Sequence, residues 1–244
     1  MVNVAGLYKE HRTMKAIVLV SGGLDSCTAL AWAHARFGQQ ILPISFAYGQ
    51  RHSREIAAAE RICEFYGLHI PRYINLSQAF VQIGGSSLTS GIRSDNPSTE
   101  SVDRTEDASL PPTFVPGRNL IMLSVAAAIG YVEKAYTIVG GWNAVDYSGY
   151  PDCRPEFLKS LQHTCNLALG LPIQAKSYEV IQIEAPLVDM SKADIVALAL
   201  HLSAPLHLTW SCYAGGTEPC GECDSCKIRA GGFAAHGIPD PALT

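Results

Sequence analysis

The segment that most constrains this chain is a turn between two apolar runs. Ala16-Ile17-Val18-Leu19-Val20 leads through Ser21-Gly22-Gly23-Leu24-Asp25-Ser26 into Cys27-Thr28-Ala29-Leu30-Ala31-Trp32-Ala33. The first run reads as a buried parallel strand and the last as the start of a helix. A strand that turns through paired glycines into a helix aims several free backbone N–H groups at one point. The positive end of the helix dipole acts on the same point, so the turn suits a phosphate. Ser21 and Ser26 add hydroxyl donors, and the glycines permit close backbone approach. No lysine follows the last glycine, so this is not a Walker A loop. Paired glycines beside a serine also occur in plain turns, but all six positions in this setting favour the phosphate.

A length of 244 residues suits one α/β domain, or one domain with a small appendage. Hydrophobic content of 48% supports a substantial core, and a formal net charge of −4 leaves no broad basic surface. Clustered Lys and Arg are what hold a nucleic-acid backbone, so a tRNA or DNA substrate is disfavoured. No segment has the length and purity of a membrane span. Residues 1–13 mix charges without an apolar core, unlike a secretory signal. They read as a disordered leader, and the protein as cytoplasmic.

Strand and helix patterns then alternate, which predicts a doubly wound parallel sheet with helices on both faces. Ile41 to Ala47 is a second apolar run, followed by a helix from a Ser53 cap to Gly67 with Ile56, Ala59, Cys63 and Tyr66 on one face. His69 to Ile74 reads as a short strand, and Gly84 to Pro112 as a long loop of the kind that serves as a lid or is disordered. A helix from Asn119 to Val132 and a strand from Tyr136 to Val139 restore order. Gly141 to Arg154 is irregular, then come a helix from Pro155 to Leu169 and a strand from Val180 to Ile183. Ser191 and Asp194 form a capping pair at the head of the next helix. Ligands of doubly wound sheets sit at the carboxyl ends of the strands. Ser21–Ser26, Tyr48–His52, Gly141–Arg154 and Pro186–Lys192 should therefore converge.

Four of the eight cysteines crowd the C-terminal end, at Cys212, Cys220, Cys223 and Cys226. In a reducing compartment such a cluster reads as metal binding. Each Cys-x-x-Cys bends two thiolates toward one ion, and four thiolates close a tetrahedral structural shell around Zn²⁺. An iron–sulfur cluster is the main competitor, because the same ligands would serve it. Residues 14–203 thus read as a nucleotide-binding α/β unit and residues 204–244 as a small zinc-binding helical region.

Taken together, the motifs resemble the 7-cyano-7-deazaguanine (preQ0) synthase family of the queuosine pathway, within the PP-loop ATP pyrophosphatases. The resemblance runs from Met14 to about Pro239 and rests on SGGLDS at Ser21–Ser26, YGQRH at Tyr48–His52 and VPGRN at Val115–Asn119. It continues through DYSGYPDCR at Asp146–Arg154, Lys192 after Pro186-Leu187, SCY at Ser211–Tyr213 and PCGECDSCKIRAGGF at Pro219–Phe233. Cys27 departs from the pattern, which more usually has Thr or Ser there.

The resemblance implies a ligase that turns 7-carboxy-7-deazaguanine, ammonia and ATP into the nitrile, through an adenylated acid and then an adenylated amide. It implies nucleotide contacts from Val20, Ser21, Gly22, Gly23, Leu24, Asp25, Ser26, Cys27, Thr28, Ala29 and Leu30, with Arg118 and Asn119 reaching phosphate or ribose. Ser21, Asp25, Ser26 and Lys192 are the expected catalytic set, with Asp25 reaching Mg²⁺ and Lys192 neutralising the departing pyrophosphate. Asn119 equally suits a helix cap. Asp146, Tyr150 and Asp152 suit a guanine-like edge and face, and Arg154 the substrate carboxylate. A covalent role for Cys153 lacks an obvious base nearby and is not required by the adenylate route. His52 is either a general acid or base or merely the residue before the Ser53 cap. A homodimer is implied, and no glutaminase segment is visible. The rivals are a PP-loop enzyme that thiolates tRNA, which would want a basic face, and a zinc-ribbon binding module, which leaves SGGLDS unexplained.

Overall fold

The computed structural model describes residues 15–48, 53–84, 86, 114–145, 150–172, 179–212, 214 and 216–243. The expected leader, most of the 84–112 loop, residues 49–52 and Asp146 lie outside the described residues. Strands β1 (Ala16–Leu19), β2 (Ile41–Ala47), β3 (Arg72–Asn75), β4 (Thr137–Val139) and β5 (Gln182–Glu184) form one sheet in the order β3-β2-β1-β4-β5. Every pairing is parallel, with Val18 opposite both Pro43 and Val139. Parallel neighbours need helical crossovers, and burial on both faces explains why the strands read as continuous apolar runs.

Each face carries its own core. Ala16, Val18 and Val20 point into one, beside helices α1 (Leu24–Phe37), α2 (Ser53–Phe65) and α6 (Lys192–His201). Ile17 points into the other, where α3 (Ser77–Ile83), α4 (Arg118–Glu133) and α5 (Pro155–Ala168) contribute Phe80, Leu123, Ala126, Leu158 and Leu161. This alternation is the period-two pleat of β1. Helix α7 (Asp224–Ala234) packs on α6 and sends Phe233 into the first core. No helix among the described residues is long and apolar enough to cross a membrane.

Two strands sit later than their apolar runs suggest. β3 begins at Arg72 rather than His69, because Pro71 has no N–H to donate and biases the residue before it. β5 begins at Gln182 rather than Val180. The capping pair forms as the spacing predicts: the Asp194 N–H donates to Ser191 Oγ, and the Ser191 N–H to Asp194 Oδ2. Helix α3 gave no periodic sign. It is short, its Ser77 N–H donates to Asn75 Oδ1 at 2.9 Å, and Phe80 is its one buried side chain.

Candidate active site

At the carboxyl ends of β1, β2 and β4 the chain encloses a cavity of about 280 Å³. The strand order reverses between β1 and β4, so the loops leaving these two strands separate and leave a crevice. The turn after β1 forms its floor. Gly22 has φ +91°, and a Cβ there would lie 2.2 Å from the Glu55 carbonyl oxygen. Only glycine lets the turn press this closely onto α2. The Ser26 hydroxyl donates to the Gly23 carbonyl at 3.0 Å and accepts the Ser21 N–H at 3.2 Å, while the Ser21 hydroxyl lies 3.1 Å from it. Gly23 caps α1 without a side-chain hydrogen bond, so the first-turn N–H groups remain available to an anion.

The loop after β4 closes the other side. A Cβ on Gly141 would fall 2.7 Å from the Asp25 carbonyl carbon, so this glycine too is demanded by contact. Asn143 ties the same loop to the segment entering α6, donating to the carbonyls of Leu187 at 3.1 Å and Met190 at 2.5 Å. That segment delivers Lys192, the first residue of α6. Its ammonium donates to both oxygens of Asp25, at 2.6 and 2.8 Å. With side chains 10% and 25% exposed, this pair is sheltered but still reaches the cavity.

A third wall is aromatic and cationic. The Arg118 guanidinium lies 5.6 Å from the centre of the Tyr48 ring and 5.7 Å from that of Tyr150. Burial raises the Tyr48 phenol above its usual range, and Arg118 offsets part of that effect. Glu55, half-buried in the first turn of α2, also lines the cavity. Burial pushes its carboxyl up to about 7, against the opposing pull of Arg118.

Beneath this wall Asp152 accepts the Asn119 backbone N–H at 2.9 Å, and so satisfies a free donor in the first turn of α4. The Asn119 amide donates to the Asp152 carbonyl at 3.1 Å and lies 3.3 Å from Cys153 Sγ. Asp152 Oδ1 is buried and has no hydrogen-bond partner among the described residues. Burial, with the Asp152 charge beside it, raises the Cys153 thiol to about 11, which keeps it a poor nucleophile at neutral pH.

The tail is bound to the phosphate turn directly. The Trp210 N–H donates to the Gly22 carbonyl at 2.9 Å, and the Trp210 indole N–H to the Cys212 carbonyl at 3.0 Å. Two residues beyond Trp210, the sulfurs of Cys212, Cys220, Cys223 and Cys226 come within 4.8 Å of one another. Four thiolates about 2.3 Å from one ion would lie roughly 3.8 Å apart, so the set fits a single tetrahedral ion. Backbone N–H groups of Cys220 and Cys223 point at the sulfurs of Cys212 and Cys220, each at 3.3 Å. Donors from Cys223 and Glu222 draw the Cys220 thiol down to about 6, favouring the thiolate a metal needs. Arg229 anchors the tail below, bonded to Asp240 at 2.5 and 2.8 Å, to Thr209 Oγ1 at 2.7 Å and to Ser211 Oγ at 3.1 Å.

The expected residues therefore divide. Val20, Ser21, Gly23, Leu24, Asp25, Ser26, Arg118, Asn119, Tyr150 and Lys192 line one cavity. Gly22 shapes the turn from behind, while Cys27, Thr28, Ala29 and Leu30 are wholly buried in α1. Burial raises the Cys27 thiol to about 12, so its departure from the family pattern is an internal packing matter. Asp152 lies under the cavity wall, and Arg154 is exposed at the head of α5. The four cysteines meet as their spacing predicts. Sequence reasoning missed Glu55, Trp210 and Arg229 as cavity-lining groups. Glu55 was findable, since first-turn residues of a helix that follows a strand sit at the ligand end of the sheet.

Comparison with known proteins gives this cavity a context. The family model described as queuosine biosynthesis protein QueC matches residues 15–237. A protein named 7-cyano-7-deazaguanine synthase 2, from Desulfitobacterium hafniense (strain Y51), is 45% identical over 93% of this chain and 91% of its own length. The 7-cyano-7-deazaguanine synthase of Oceanobacillus iheyensis is 46% identical over 93% of this chain and 96% of its own. That of Thermoplasma volcanium is 45% identical over 93% of this chain and 89% of its own. Among solved structures, the U34-tRNA thiolase NcsA of Methanococcus maripaludis aligns with a TM-score of 0.45 at 14% identity, covering 93% of this chain and 68% of that one. A likeness that loose carries no weight for the chemistry.

Proposed function

The chain belongs to the family of queuosine biosynthesis protein QueC, and from that premise we propose that it is a 7-cyano-7-deazaguanine synthase. The observation that carries the reading is the match over 93% of the chain to proteins of that name, with a phosphate-suited turn, a lysine and an aromatic wall in one cavity.

A carboxylate resists ammonia because its oxygens are poor leaving groups. In the proposed reaction the acid attacks the α-phosphorus of ATP, pyrophosphate leaves, and ammonia opens the mixed anhydride to the amide. The amide oxygen then attacks a second ATP, and loss of AMP leaves the nitrile. Ser21, Ser26 and the first-turn N–H groups of α1 hold the β and γ phosphates. Lys192 balances the charge that grows on the departing pyrophosphate. The turn's donors are held in place before substrate arrives, so little backbone reorganisation is needed at the moment of reaction. Asp25 is the residue placed to hold Mg²⁺, which when bound supplies charge neutralisation to the phosphates. Tyr48 and Tyr150 offer faces for a planar base, and buried Asp152 Oδ1 suits one of its N–H groups.

The cysteine set is proposed to hold a structural Zn²⁺, because its sulfurs crowd one point whereas a multi-iron cluster spaces its thiolates farther apart. Residues 204–244 then act as a metal-clamped appendage to the nucleotide-binding unit of residues 14–203. We further infer a cytoplasmic homodimer acting on the free base with ammonia from solution. The acidic balance supports a substrate other than nucleic acid.

The test is direct: incubate the protein with 7-carboxy-7-deazaguanine, ammonium and ATP, and follow nitrile, AMP and pyrophosphate. Two AMP per nitrile is the expected yield. AMP that forms only when tRNA is added replaces this reading with tRNA thiolation. Metal analysis of protein purified without added zinc belongs beside it; iron with labile sulfide overturns the zinc assignment.

A further inference from the structure

Every bond made to nitrogen in the proposed reaction obliges nitrogen to lose a proton. When ammonia adds to the adenylated carboxyl carbon, a C–N bond forms, the C–O bond to AMP breaks with its electron pair, and one N–H proton must go. Conversion of amide to nitrile removes two more, one as the oxygen is adenylated and one as AMP departs. The hydroxyls and backbone N–H groups of the phosphate turn are too weakly basic to take them. Among the described residues lining the cavity, Asp25 and Glu55 are the carboxylates, and no histidine is present. Asp25 is tied through both oxygens to Lys192 in the resting site, and in the proposed function it is given over to Mg²⁺ once nucleotide binds.

Glu55 stands differently. Its helix turn is pressed against the phosphate turn, with its carbonyl where a Gly22 Cβ would be. Its side chain faces the same cavity between the phosphate turn and the Tyr48–Arg118–Tyr150 wall. We propose that Glu55 is the proton acceptor for the nitrogen steps, taking each N–H proton as the C–N bond order rises and passing it to solvent between steps. The proposal rests on the synthase reading. The charged and titratable groups facing Glu55 are Arg118, which stabilises its carboxylate, and the Tyr48 phenol. A carboxyl drawn up to about 7 suits the role, since it can both accept and release a proton near neutrality.

Acid adenylation alone needs no proton from nitrogen, and this separates the roles. Substrate-dependent exchange of labelled pyrophosphate into ATP, without ammonia, reports that step; nitrile formation reports the rest. For Glu55→Gln we expect exchange near the wild-type rate and nitrile formation reduced about 100-fold or more. Glu55→Asp should restore part of the rate. In wild type the rate of nitrile formation should also rise with pH through an inflection near 7 that Glu55→Gln lacks. Equal loss of exchange and nitrile in the Gln variant marks a merely structural residue and overturns the proposal, as does unimpaired nitrile formation. If wild type itself gives neither product, it is the synthase reading that fails.

Discussion

The turn after β1 and the tail from Trp210 to Ala234 meet at one hydrogen bond, yet they are held by different means. The turn is fixed by contact: Gly22 lies against α2, Gly141 lies against Asp25, and the flanking Val18, Val20 and Leu24 are sealed in the first core. The tail has little apolar burial of its own. Phe233 and two cysteines enter the interior, while residues 216–218 and 220–222 are exposed. Sulfur-directed N–H groups and a buried guanidinium do there what packing does in the turn. Part of the site is therefore shaped by close-packed backbone, and its lower edge by charge that must be satisfied from outside or below.

If that contrast is right, stripping the metal should have the largest effect, and it should be local. Structural zinc contributes about 10–16 kcal/mol in small zinc peptides. Chelation should expose the stretch around Cys220 to protease while the far-UV signal of the sheet persists. A tail that resists digestion after complete chelation would break the comparison. Next comes Asp240→Asn, which leaves the Arg229 guanidinium buried and half-paired. A loss of about 3–5 kcal/mol is expected, read as a lower urea midpoint at unchanged metal content. Smallest is Gly22→Ala. Backbone strain at positive φ and overlap with the Glu55 carbonyl should together cost roughly 2–4 kcal/mol. This variant should keep its metal yet lose pyrophosphate exchange, the reverse of the chelated protein's pattern of damage.

The turn was legible in the sequence because its requirements are local: glycines for approach, hydroxyls for donors, apolar runs on either side. The cysteines were legible for the same reason, since spacing alone brings Cys220 and Cys223 to one ion. What could not be read depends on partners distant in the chain. Asp152 suits the edge of a base by residue type, but only the fold shows that one of its oxygens also holds the Asn119 N–H. The place of Glu55 at the ligand end follows from its position after β2, but its half-burial and the Arg118 guanidinium near it come only with folding. The Arg229–Asp240 pair likewise has no local signature, and α3 leaves only Phe80 in the core, too little to mark a period.

The Lys192–Asp25 pair gives the resting site a particular economy. An arriving triphosphate does not meet a bare cation; it meets a lysine already balanced by a carboxylate. On the proposed roles, entry would be an exchange of counter-ions, with Asp25 freed to hold a divalent cation as Lys192 turns to the phosphates. A nucleotide lacking its cation would drive only half of that exchange and leave the aspartate facing like charge. On those roles, discrimination against bare nucleotide would lie in the ground state, before any bond is broken.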